Sequence, residues 1–115
     1  MARVVAFIPD LLFGSNVLGA LSAAGHETTL VSDGDALRRE LAGAAALIVD
    51  LTTDAPARIE QVSAVPHDHV KTLAFYSHVE QDVRNQAEQA GFDLVIPRSR
   101  MAREGAALLS RLLKD

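Results

Sequence analysis

The chain has 115 residues, 49% hydrophobic and 23% charged, with no cysteine and a net charge of −4. These figures suit one domain, residues 1–115, with a core that needs no covalent staple, and they exclude disulfide frameworks, thiolate metal sites and cysteine nucleophiles. An acidic chain with only 4% aromatic residues has neither the electrostatic footprint nor the stacking platform of a nucleic-acid binder.

From the N-terminus, "MARVVAFIPD" carries a short apolar run broken by Pro9 and Asp10, too short for a secretory segment. No stretch approaches the roughly 20 apolar residues of a membrane span, and a cytoplasmic location is expected. Five β-rich runs follow in order: residues 3–8, 27–32, 45–50, 70–76 and 93–96. The first, third and fourth are nearly continuous in apolar residues, as central parallel strands buried on both faces must be. The second and fifth are shorter or more polar and suit sheet edges.

Segments with helical spacing separate these runs. The first places Val17, Leu18, Leu21 and Ala24 on one face, with Gly25 at a left-handed cap. The second has Asp35 as its expected N-cap, Leu37 and Leu41 inward, and Gly43 at its end. The third is capped by Asp54 or Thr53, with Pro56 in its first turn, Ile59 and Val62 inward, and Pro66 as its stop. The fourth opens on the capping-box pattern Ser77–Glu80 and carries the stripe Val79, Val83, Ala87 and Ala90. The fifth runs from Ser99 with Met101, Leu108, Leu109 and Leu112 on one side. Five β-α units joined by short loops predict an α/β fold: a three-layer α/β/α sandwich around a five-stranded parallel sheet.

Several familiar motifs fail on inspection. "GSNVLGAL" from Gly14 has the glycine spacing of a phosphate loop, but Ala20 and Leu21 stand where Lys and Ser/Thr are required. The pair His67 and His69 makes an incomplete metal site at the wrong end of the sheet. No strand is followed by G-x-G-x-x-G, and no serine sits on a nucleophile elbow.

Open α/β sheets bind ligands beyond the carboxyl ends of their strands. The residues at those ends are Asp10, Asp50, Ser77 with His78, and Arg98. Two carboxylates suit a hard cation such as Mg²⁺, and a hydroxyl with a cation suits an oxyanion. Each residue also has a plain structural reading: Asp10 as a helix cap, Asp50 as a strand end, Ser77 as part of its capping box.

The pattern resembles the receiver domain of two-component response regulators along the whole chain. "LIVDLTT" is similar to the segment that bears the phosphoacceptor, with Asp50 in that place; "FIPD" puts Asp10 at one of two acidic positions. "LAFYSH" puts Ser77 at the hydroxyl position, and "AEQAGFDLVI" resembles the run from the fourth helix into the fifth strand. The resemblance implies the flavodoxin-like strand order 2-1-3-4-5, with Asp50, Ser77 and Arg98 as catalytic candidates and Asp10 with Asp50 as Mg²⁺ ligands. The chain departs from the pattern at Pro9, in place of an acidic residue. It departs again at "VIPRS", where Pro97 takes the position of the usual lysine and Arg98 follows one residue later. A one-residue slip on a strand reverses the side chain's face.

The expectation is a non-enzymatic, stand-alone receiver-like interaction module with altered or lost phosphoacceptor chemistry and no cofactor. Its partner would be another protein, met through helix 4, strand 5 and helix 5 by Val79, Val83, Ala87 and Ala90; a homodimer stays open. One alternative is a conventional Mg²⁺-dependent receiver phosphorylated on Asp50. The other is a small-ligand or nucleotide-binding module, since "AAGHETTLVSDGDAL" is similar to the second strand of nucleotide-sugar enzymes.

Overall fold

Aliphatic and β-branched runs form every strand of the computed structural model, which describes residues 2–114. Ten elements alternate strictly: β1 (Arg3–Phe7), α1 (Leu11–Ala23), β2 (Glu27–Val31), α2 (Gly34–Leu41), β3 (Ala46–Asp50), α3 (Ala55–Ser63), β4 (Lys71–Tyr76), α4 (Gln81–Gln89), β5 (Leu94–Pro97) and α5 (Arg98–Lys114). All strand pairs are parallel, in the order β2-β1-β3-β4-β5. The expected architecture and order are therefore present, with strand limits within about a residue of those read from the sequence.

Side chains of a strand alternate between its two faces, and the core divides accordingly. Val4, Ala6, Ile8, Ala46, Ile48, Leu73 and Phe75 pack with Phe13, Val17 and Leu21 of α1 and Met101, Leu108 and Leu109 of α5. Val5, Phe7, Leu47, Val49, Ala74 and Tyr76 pack with Leu37, Leu41, Val62, Val83 and Ala87 from α2, α3 and α4. β3 is buried along its whole length, Asp50 included.

Helix starts depart from the sequence expectations at two places. Asp33, not Asp35, caps α2: its extended backbone lets Oδ1 accept from Ala36 N at 2.8 Å, and Asp35 falls inside the first turn. Ser77 caps nothing, because α4 begins four residues later. Ser77 to Glu80 form a turn closed by Glu80 N–H donating to the Ser77 carbonyl at 2.8 Å, and no side chain caps the helix. Asp54 does lead into α3, but through a left-handed backbone (φ 49°) without a side-chain cap bond, and Pro56 sits in the first turn. Ala24 lies past the end of α1 and is exposed, so the buried face of α1 is Phe13, Gly14, Val17 and Leu21.

Candidate functional site

The parallel sheet brings the ends of β1, β3, β4 and β5 to one edge, where a solvent-open cleft of about 610 Å³ is lined by Asp10, Thr52, Thr53, Ser77, His78, Arg98 and Ser99 over Phe13. Asp10, Ser77 and Arg98 thus meet as the sequence suggested. Asp50, at the end of β3, is buried and is not among the residues that line the cleft, although the loop residues Thr52 and Thr53 are.

The reason lies in the β3–α3 loop. Asp50 Oδ1 accepts from both the backbone N–H of Thr52, at 2.8 Å, and its hydroxyl, at 2.5 Å. This side-chain-to-backbone turn two residues on is a common use of aspartate, and it lays Thr52 over the carboxylate. From the other side Arg58 Nη1 donates to the carbonyls of Asp50, at 2.9 Å, and Thr53, at 3.3 Å, while its guanidinium lies 5.1 Å from the Phe7 ring centre. The loop is tied by its own Thr52 and by Arg58 of α3.

Asp10 is committed as the α1 N-cap: Oδ1 accepts from Leu12 N at 3.0 Å and Phe13 N at 3.1 Å. Its other oxygen, Oδ2, faces Arg98 Nη2 at 3.9 Å. Arg98 lies 4.2 Å from the centre of the Phe13 ring, and Phe13 in turn packs on Phe75 at 5.1 Å. The one-residue slip at "VIPRS" therefore does not turn the cation away. β5 ends at Pro97 and Arg98 is already the first residue of α5, so strand alternation no longer governs its direction.

Ser77, released from capping, lines the cleft together with His78. Two participants were not singled out from the sequence. Thr52 was signalled only by the D-x-T spacing of a side-chain turn. Arg58 left no local signal, because its contact with the Asp50 carbonyl depends on how α3 returns over the loop.

No protein-family model matches the chain, and no curated protein is significantly similar to it. Solved structures are similar along its full length. A response regulator from Thermotoga maritima superposes with a TM-score of 0.81 at 14% identity, over 100% of this chain and 99% of that one. The chain has the receiver-domain fold. The receiver domain of the sensor histidine kinase PA1611 from Pseudomonas aeruginosa, with magnesium coordinated in its active-site cleft, gives 0.80 at 18% identity over 99% and 98%. NtrX from Brucella abortus, in complex with ADP, gives 0.83 at 19% identity over 98% of this chain, which spans only 26% of that protein.

Against the receiver fold's implied magnesium, this cleft's donor set is a poor match. Mg²⁺ is held by carboxylates that are free to accept it, alongside several retained waters. Here Pro9 supplies no side-chain ligand, Asp10 caps a helix with one oxygen and faces a guanidinium with the other, and Asp50 gives one of its two oxygens, Oδ1, to Thr52. Among the described residues no three His, Asp or Glu side chains are grouped as metal ligands. The residues present do not fit the ion.

Proposed function

We propose that the chain is a receiver-fold protein-interaction module whose signalling does not pass through metal-dependent phosphorylation of Asp50. The observation that carries this is the Asp50 carboxylate: buried, held by Thr52, and absent from the lining of the cleft. In-line attack on a phosphoryl donor needs the nucleophilic oxygen presented to the donor with a cation beside it; here Asp50 is 3% exposed and its Oδ1 is held by Thr52. The output is then a contact with another protein. Supporting that, the three large apolar side chains exposed among the described residues are Leu11, Leu12 and Val79. Leu11 and Leu12 directly follow the cleft residue Asp10, and Val79 sits between the cleft residues His78 and Glu80. Exposed apolar side chains next to a cleft are the kind of surface a protein partner covers.

The α4 stripe contributes less to such a contact than its spacing suggests. Val83 and Ala87 are buried in the core, which leaves Val79 and Ala90 exposed on either side of them. The test is incubation with acetyl phosphate and Mg²⁺ followed by intact-mass measurement. No phosphoryl adduct is expected; an adduct lost in Asp50→Asn would contradict the proposal.

A second reading, a conventional receiver phosphorylated on Asp50, is favoured by one feature: Ser77 and Arg98 converge on the same cleft as Thr52. It requires the phosphoryl group to be taken by Asp50 Oδ2, the carboxylate oxygen not held by Thr52, and the same measurement decides between the two.

A further inference from the structure

Asp10, Phe13 and Arg98 form a closed unit at the rim of the cleft. Asp10 Oδ1 accepts the Phe13 N–H at 3.1 Å, the Phe13 ring carries the Arg98 guanidinium at 4.2 Å, and Arg98 Nη2 returns to Asp10 Oδ2 at 3.9 Å. The ring itself is fixed from below by Phe75, the β4 residue that pairs with Asp50. Resting on the reading that this cleft works without a metal, we infer that Arg98 is the site's resident cation: it takes the position of a divalent ion beside Asp10 and keeps one out. This gives Arg98 a different role from that of a phosphoryl-binding lysine, since it acts on the acidic edge rather than on an incoming anion.

The ion pair alone does not hold the guanidinium. Both side chains are about half exposed, at 49% and 53%, and pairs of that kind are weak. Placement comes from the planar guanidinium lying on an aromatic face, which arginine does and a compact ammonium does not. Once placed, it opposes a divalent cation directly. A unit charge about 4 Å from a doubly charged ion in water lowers the ion's occupancy by roughly ten- to thirtyfold, before any loss of ligands. Pro9 removes an acidic ligand, and Arg98 supplies charge to the one that remains. The two departures from the receiver pattern thus compensate one another: an acidic edge with one carboxylate fewer needs less positive charge, and a single guanidinium provides it permanently.

The test is Mn²⁺ broadening of assigned amide resonances, reversed by excess Mg²⁺, in the natural protein and in Arg98→Gln and Arg98→Met. Residue 98 is exposed, so both variants are expected to fold, and the spread of their amide resonances checks this. The natural protein should show no site-specific broadening near Asp10 at Mn²⁺ concentrations that broaden Leu11, Leu12 and Phe13 in both variants, with apparent affinity at least about tenfold higher in the variants. Silence in all three proteins overturns the role given to Arg98 while leaving the metal-free reading of the cleft in place. Equal broadening in all three overturns the role as well, and the adduct measurement then shows separately whether phosphorylation accompanies the metal.

Discussion

At the scale of single residues, Asp10, Asp50, Thr52 and Arg98 of the candidate site each already have a side-chain contact. Asp10 is the clearest case, because its capping and charge functions separate by mutation. Asparagine caps a helix about as well as aspartate, whereas alanine leaves the first-turn N–H groups without an acceptor. Asp10→Ala is therefore expected to cost about 1 kcal/mol in urea unfolding. Asp10→Asn should cost no more than a few tenths, because the exposed pair with Arg98 contributes little. Equal losses in the two variants would mean that the carboxylate charge, not the cap, carries the stability. Thr52 has the reverse standing: it looks like a loop residue, yet its hydroxyl satisfies a buried carboxylate. Thr52→Ala should destabilise by about 1–3 kcal/mol, the range for a buried polar group that loses a partner. A loss under a few tenths would show that water replaces the hydroxyl and that Asp50 is more accessible than its burial suggests.

At the scale of elements, the helices differ in how firmly they are held. α1 buries Phe13, Val17 and Leu21, and α5 buries Met101, Leu108 and Leu109, whereas α4 buries only Val83 and Ala87 and has no side-chain cap. Low burial and an uncapped start favour local opening, so α4 amides are expected to exchange with solvent faster than those of α1 or α5. Protection of α4 equal to that of α1 would refute this. The turn after α1 is specified by one residue. Gly25 adopts φ +90°, a conformation that costs an L side chain about 1 kcal/mol or more, and Gly25→Ala should lower stability by about that amount in the same urea assay.

The strands and their order were legible in the sequence, because runs such as "RVVAF" and "ALIVD" are apolar on both faces and need neighbours on both sides. Helix starts were less so. Whether Asp33 or Asp35 caps α2 depends on which backbone is extended, and the Ser77–Glu80 pattern is met equally by a cap and by a turn. The cleft was legible as a meeting of strand ends. That Asp50 lies under Thr52, and that Arg98 reaches Asp10 over Phe13, follows from tertiary packing that no local pattern encodes.

At the scale of the molecule, the chain has the receiver fold, and the proposed function holds that the chemistry at its carboxyl edge differs from a phosphoacceptor's. The sheet order and two-sided core depend on aliphatic patterning, which tolerates low identity to the solved structures it resembles. The resemblance places a phosphoacceptor site on a few side chains at fixed positions, and the sequence departs from that pattern at Pro9 and at Pro97 with Arg98, while Asp50 Oδ1 is held by Thr52. The most direct test of the whole account is a pair of amide spectra of the natural protein, with and without Mg²⁺ and beryllofluoride, an aspartyl-phosphate mimic. The account predicts superimposable spectra around Asp10, Asp50, Thr52 and Ser77. Shifts concentrated at those residues, and abolished in Asp50→Asn, would show that the carboxylate leaves Thr52 and accepts the mimic, and would contradict the account.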